Sequence, residues 1–429
     1  MCRRLGPRPG VIRRQTRIVP GPGNKRVKTL KFRVWSGGSK ETLHRARWVL
    51  PISAPPIENG FLRVVGQRIV EVGKATSGWN GSAVTDWGDV ALLPAWVNPH
   101  THLEFSLLAE PLGASGISFA AWIQKVVADR RETACRGETW QAVEAGWRAS
   151  RRAGVAALGE IATRPFHAPP ERYADLVGTV FFEAIGLRET AARTAWEEIN
   201  ALFDRITPSV RQPEWGLSPH APYSVRPDLF ARLCRLAAAR KLPLAFHLAE
   251  SPEELELLAH GTGPLVAVLE EFDAWDARAI PPGTRPLDYL HCLVSLPRVL
   301  LIHGNYLDQR ERRFLARHRR SMSVVYCPRT HEFFQHTAYP LEQMIHAGVH
   351  VVVGTDSKAS SPDLSIAEEL RCIRRRHPGM RDDLIVAMGT LEAARALGLS
   401  QRFGRLAPGF EARFLAADLA NPRDPWSFW

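Results

Sequence analysis

Short, nearly unbroken apolar runs alternate along most of this chain with longer stretches of helical periodicity. The runs are Val90–Asn98, Val155–Ile161, Val177–Ile185, Trp215–Ser218, Leu242–Phe246, Val299–Ile302, Met322–Tyr326 and Val349–Val353. Between them lie helix-like stretches such as Thr139–Ala153, Thr190–Phe203, Pro227–Arg240 and Glu311–His318. An apolar run without polar alternation suits a strand covered on both faces, as in a parallel sheet. Eight such strand–helix units predict an α/β fold, a parallel (β/α)8 barrel of the TIM type. Ahead of them, Arg47–Ser53 and Gly60–Gly73 read as short strands joined by turns, and Gly404–Asp418 reads as a turn followed by a strand. That last strand is expected to pair with strands from residues 45–75, so that both chain ends build a small β-sandwich. The expected division is a leader at 1–40, the sandwich at 41–93, the barrel at 94–400 and the rest of the sandwich at 401–429.

Chemistry-bearing residues fall where the apolar runs stop. Asn98-Pro-His-Thr-His102 closes the first run, and a spacing of two on a strand aims His100 and His102 to one side. Two converging imidazoles suit a zinc-like divalent metal. Glu160, Glu183, His220, His247, His303, Cys327 and Asp356 stand at or just past the ends of later runs. In a parallel barrel the chemistry collects at the C-terminal ends of the strands. Any one of these residues reads as a solvated strand end, and that reading is kept for Glu160 and Cys327. For the histidines and Asp356 together it fails.

Composition narrows the picture little, and charge changes it once. The 429 residues are 45% hydrophobic and 23% charged, an ordinary globular balance. Six widely spaced cysteines without a Cys-x-x-Cys pattern argue for free thiols in a reducing cytoplasm. No stretch is long and apolar enough for a bilayer, so no membrane association is expected. The formal charge of +12 suggests nucleic acid, but residues 1–40 hold twelve Lys or Arg and no acid. Removing those twelve from 56 leaves 44 basic against 44 acidic residues, a neutral body with no expected specific nucleic-acid partner. The leader is expected to be disordered, and a start codon placed too far upstream is the favoured explanation.

Five motifs together resemble the amidohydrolase superfamily, in its chlorohydrolase and nucleoside deaminase branch. They are Asn98-Pro-His-Thr-His102, Ser218-Pro-His-Ala-Pro-Tyr-Ser224, His247-Leu-Ala-Glu250, Ile302-His-Gly304 and Gly354-Thr-Asp-Ser357. The resemblance implies that His100, His102, His247 and Asp356 bind one divalent ion, Zn2+ or Fe2+. It further implies that Glu250, His303 and Asp356 do the proton work around the attacking water, that His220 touches the substrate, and that the chain forms a homodimer. The reaction implied is hydrolytic loss of ammonia from an aromatic amidine-like carbon.

Asn98–Ser106, Ser118-Phe-Ala-Ala-Trp-Ile123 and Asp129-Arg-Arg-Glu132 look like aminodeoxyfutalosine deaminases. Those enzymes convert 6-amino-6-deoxyfutalosine, a purine nucleoside carrying a benzoate, to futalosine in menaquinone biosynthesis. Arg130 or Arg131 could clamp the carboxylate as a bidentate pair, although a solvated helix face is the plainer reading. For Glu104, substrate contact and structural support weigh about equally; for Phe105, packing leads. Deaminases of S-adenosylhomocysteine, methylthioadenosine or adenosine, and triazine chlorohydrolases, stay open, as does a barrel that only binds. One stretch departs from the family pattern. Cys327-Pro-Arg-Thr-His331 stands where Cys-Pro-x-Ser-Asn is common, in a loop expected to face the pocket, with His331 read as a surface histidine. His331 and His336 are five apart, which fails the metalloprotease helix spacing of four.

Overall fold

The computed structural model describes residues 32–35, 41–74, 83–163, 170–173, 176–206 and 213–429. Seven strands precede the first long helix: β1 (Phe32–Trp35), β2 (Thr42–Val49), β3 (Ile57–Val65), β4 (Arg68–Lys74), β5 (Ala83–Asp86), β6 (Val90–Pro94) and β7 (Trp96–Thr101). The others are β8 (Val155–Ala162), β9 (Gly178–Ala184), β10 (Glu214–Pro219), β11 (Leu244–Leu248), β12 (Val299–His303), β13 (Met322–Tyr326), β14 (Val351–Val353) and β15 (Phe414–Asp418).

Strands β7 to β14 form one parallel sheet in sequential order, with helices between them. The described residues of β7, β8, β9, β11, β12, β13 and β14 are buried throughout, which is why they read as continuous apolar runs. The sheet closes where the first and last strands end. Thr101 bridges Asp356, the Asp356 amide donates to the His100 carbonyl at 3.2 Å, and the Asn98 amide bonds Thr355 Oγ1 at 2.8 Å. The residues that complete the barrel are therefore neighbours of the histidine pair.

The chain ends form a second sheet in the order β1-β15-β6-β2-β3-β4, with β5 paired to β2. It has its own small core, including Val49, Leu62, Ile69, Leu92 and Phe414. Four details differ from expectation. The run Val90–Asn98 is two strands, not one: Pro94 has no amide to donate, and at Ala95 the chain passes from one sheet to the other. Ala95 N bonds Arg413 O on the first side, and Trp96 N bonds Gly154 O on the second. β15 itself pairs with β6 and β1, and it is the turn before it that meets the residue 45–75 strands, through the Arg68–Glu411 bridge and backbone bonds from Ile69 N to Phe410 O (2.9 Å) and from Ala412 N to Gln67 O (2.8 Å). Residues 32–35, expected within the leader, are a strand of this sheet; residues 1–31 and 36–40 lie outside the described residues. After β15 the chain leaves the sheet, and Phe428 is buried in the barrel's hydrophobic core. No helix among the described residues is long and apolar enough to cross a membrane.

Candidate metal centre and pocket

Four strand ends converge on one buried point. Ligand atoms of His100, His102 and His247 lie within 4.8 Å of one another, as do those of His100, His303 and Asp356. The His247 Nδ1 proton is donated to the His220 carbonyl at 2.9 Å, which leaves Nε2 as a bare lone pair pointing inward. That nitrogen lies 3.3 Å from His102 Nε2. Two nitrogens each about 2.0–2.1 Å from a tetrahedral ion would stand about 3.4 Å apart. Both ring nitrogens of His100 and Nδ1 of His102 are buried with no hydrogen-bond partner. Asp356 turns Oδ1 toward His100 Nε2 (3.5 Å) and His102 Nε2 (3.8 Å), while Oδ2 accepts from Thr330 at 3.3 Å and Ser360 at 3.2 Å. Orphaned imidazoles and one oriented carboxylate oxygen are the donor set of a divalent cation, so the residues present fit one.

The electrostatics agree. Burial first, and neighbouring imidazoles second, push His102 well below the usual histidine range; the same causes act on His247. His303 is also pushed well down, chiefly by burial. Burial alone would raise Asp356, yet the close approach of His100, whose Nε2 lies 3.5 Å from Oδ1, and then His303 and His102, hold it well below the usual carboxylate range. Glu250 goes the other way: burial, then the Asp356 charge, push it well up. Its Oε1 lies 3.3 Å from His303 Nε2. Burial thus favours the protonated form of the Glu250 carboxyl and the neutral form of the His303 imidazole beside it.

Backbone strain aims these groups. Ala249, His303 and Asp356 have φ of 53°, 68° and 58°, in the left-handed region disfavoured for residues with a Cβ. Each turn is clamped. Glu254 accepts from the amides of Ala249 and Glu250, both at 2.9 Å; the Asn305 amide donates to the Glu250 carbonyl at 2.8 Å; and the Tyr339 hydroxyl donates to the His303 carbonyl at 3.0 Å. Glu160 serves the first turn, accepting from Thr101 Oγ1 at 2.6 Å and Leu103 N at 3.0 Å. None of these clamps except Glu160 had been singled out. The Ser251-x-x-Glu254 spacing, a helix-start signature, could have flagged Glu254.

Burial raises Glu254 from 4.5 to about 7. The folded state then binds more protons than the unfolded state between those values, so stability falls as pH rises through this window. The loss expected from this group is about 3 kcal/mol. Urea melts of wild type and Glu254→Gln from pH 4.5 to 8 check it: the variant should lose that component of the slope.

The pocket over the site has a volume of about 180 Å³ and is largely apolar, with Trp122, Val126, Ile185 and Phe272 in its wall beside His220, Tyr223 and Glu250. His220 Nδ1 bonds Ser224 Oγ at 2.6 Å, and burial lowers its pKa to about 3. Its Nε2 stands 4.0 Å from the buried Glu183. Arg130 enters the same pocket, where Nη2 donates to Glu104 at 2.7 Å, the guanidinium lies 5.4 Å from the Phe105 ring centre, and the buried Nε has no partner. Arg131 is exposed, over Phe272 at 5.5 Å. The solvated-face reading therefore holds for Arg131 and fails for Arg130.

Two expectations about the 327–336 loop are corrected. His331 is 2% exposed, packed edge-on against Tyr326 and Tyr339, because Pro328–Phe333 is a short helix that turns it inward. The loop supplies none of the pocket wall; its Thr330 instead supports Asp356 from behind.

Fold and site together describe a parallel barrel with a buried candidate metal site at its strand ends, and the amidohydrolase family profile matches residues 91–429. The chain belongs to the amidohydrolase family and is a hydrolase acting on carbon–nitrogen bonds. It is 27% identical over 390 residues to the 5-methylthioadenosine/S-adenosylhomocysteine deaminase of Moorella thermoacetica, covering 87% of this chain and 85% of that one. It is 31% identical over 338 residues to the aminodeoxyfutalosine deaminase of Deinococcus radiodurans, covering 74% and 75% respectively. The solved aminofutalosine deaminase of Helicobacter pylori has the same fold, with a TM-score of 0.74 at 21% identity over 90% of this chain and 94% of that one.

Proposed function

We propose that this chain is a metal-dependent deaminase of adenine-type nucleosides, with 6-amino-6-deoxyfutalosine the favoured substrate. The observation that carries it is the Glu250–His303 pair, 3.3 Å apart, at the edge of the buried histidine–aspartate ring and facing an apolar pocket. His100, His102, His247 and Asp356 would hold the ion, for which Zn2+ and Fe2+ both suit the donors. When bound, the ion lowers the pKa of water toward neutrality. Glu250 donates its proton to a ring nitrogen of the base, making the adjacent carbon electrophilic. Asp356 receives the proton of the attacking water through its inward oxygen, and His303 hydrogen-bonds the incoming oxygen. His220, with Nδ1 engaged by Ser224, offers Nε2 to the base edge, and the apolar wall excludes water from the ring.

The benzoate-bearing substrate is favoured over other adenine nucleosides by the unpartnered Nε of Arg130, a buried donor that a carboxylate would satisfy. Ammonia release from aminodeoxyfutalosine, S-adenosylhomocysteine, methylthioadenosine and adenosine tests both levels. Highest kcat/KM on aminodeoxyfutalosine supports the finer reading. Preference for another adenine nucleoside overturns that reading alone, and silence from the metal-loaded chain on all four overturns the whole. Arg130→Met should raise KM for aminodeoxyfutalosine by about tenfold or more and change adenosine little, since loss of a charge-assisted bond costs about 1.5–3 kcal/mol. Equal losses on both would remove Arg130 from carboxylate recognition.

A further inference from the structure

A second cavity lies apart from the catalytic pocket. It is a cleft of about 490 Å³ lined by Trp35, Arg148, Arg151, Arg152, Val155 and Arg413, among others. It lies where β1 and the approach to β15 meet the end of the helix Thr139–Arg152 and the start of β8. β8 begins at Val155 in this cleft and ends on the catalytic side at Ala162, seven residues later, a run of about 23 Å. A ligand here cannot touch the reacting atoms.

Four arginines converge on the cleft, and none of its lining residues is acidic. Cations at a helix C-terminus ordinarily just complement the helix dipole, which accounts for Arg151 and Arg152. It does not account for Arg413, which arrives from another element, nor for the concavity between them. Arg148, Arg151 and Arg152 stand at i, i+3 and i+4, so their like charges share one helix face and repel. Their compensation is thin. Arg148 meets Glu144 at 3.4 Å in an exposed pair, and Arg413 meets Glu411 at 3.6 Å, a carboxylate that Arg402 already engages at 2.6 Å. Arg151 and Arg152 pair with no carboxylate among the described residues. Trp35 adds an aromatic wall, held in place by stacking on Phe414 at 5.1 Å.

We infer that this cleft binds a nucleoside diphosphate, its phosphates on the arginine forks and its base against Trp35. The site is independent of the deaminase reading.

Titration calorimetry of the full-length, metal-loaded chain with uridine diphosphate and with inorganic pyrophosphate tests it; a uracil base offers no 6-amino group to the catalytic pocket. The expected result is saturable one-to-one binding of both, tighter for uridine diphosphate, and weakened about tenfold or more in R151E/R152E and in R413E. That factor is the loss of about 1.4 kcal/mol of binding free energy. Melting curves of each variant establish that it is folded, and the two variants are independent should one fail to fold. W35L should abolish the preference for uridine diphosphate over pyrophosphate. No saturable binding at millimolar concentration overturns the proposal. So does binding that survives both charge reversals, which would place it on the basic residues 1–40 or in the catalytic pocket. Tighter binding of a short oligothymidylate than of uridine diphosphate would make the cleft a nucleic-acid contact and overturn it as well.

Discussion

Glu250→Gln is expected to lower kcat for ammonia release about a thousandfold while leaving ion content and melting temperature near wild type. Glutamine keeps the shape of the side chain and can still donate a hydrogen bond, but it has no proton to transfer. General acid catalysis contributes about 10²–10⁴-fold, which sets the scale of the loss. The pH profile separates this role from a structural one. Glu250 has to be protonated to act, and burial with the Asp356 charge raises its pKa well above the ordinary carboxylate value. Wild-type kcat should therefore fall on the alkaline side as that proton is lost. The residual activity of the variant should lack this limb, because nothing at position 250 titrates. A variant with near-normal kcat, or one that keeps the alkaline limb, would remove Glu250 from proton transfer. Steady-state assays on metal-loaded protein from pH 5 to 9, with ion content measured for each sample, decide the matter.

The barrel was legible because its strands are buried on both faces, so burial wrote itself into the sequence as uninterrupted apolar runs. The ends of those runs announced His100, His102, His247, His303 and Asp356 for the same reason: a polar residue at a buried strand end needs a purpose. What stayed hidden is instructive. The passage between sheets at Ala95 falls inside one apolar run, since β6 and β7 on either side of it are both buried throughout and periodicity cannot mark the change. The left-handed φ of Ala249 involves a residue type that rarely adopts it, so no composition rule finds it. Arg130, by contrast, could have been placed. Ile123, Val126, Val127 and Arg130 are spaced three, one and three apart, one helix face, and all four line the pocket. Adjacent charges had suggested a solvated pair, whereas the helical period separates Arg130 from Arg131. His331 gave no such signal, because a six-residue helix is too short to show a period.

His247→Ala and Asp356→Asn are each expected to abolish stoichiometric binding of the ion and to reduce turnover about a thousandfold or more. The four donors come from three places in the barrel that share no local structure: the end of β7, the end of β11 and the turn after β14. Removing one leaves the others too few to hold the ion, and with it goes several kcal/mol of transition-state stabilisation. The same donors make a prediction about stability. With no ion, the Nε2 atoms of His102 and His247 stand 3.3 Å apart with only each other for a partner, and the buried Nδ1 of His100 has no hydrogen-bond partner. An ion bound only by the folded state stabilises it by about 4 kcal/mol at a thousandfold excess over Kd. Chelation should therefore lower the melting temperature of the wild type by several degrees and leave both variants unmoved. The Glu250→Gln variant, whose donor set is intact, should respond to the chelator as wild type does. Elemental analysis alongside calorimetric melts, with and without chelator, reads both effects at once. One equivalent of ion retained in both His247→Ala and Asp356→Asn would show that these residues do not form the metal site.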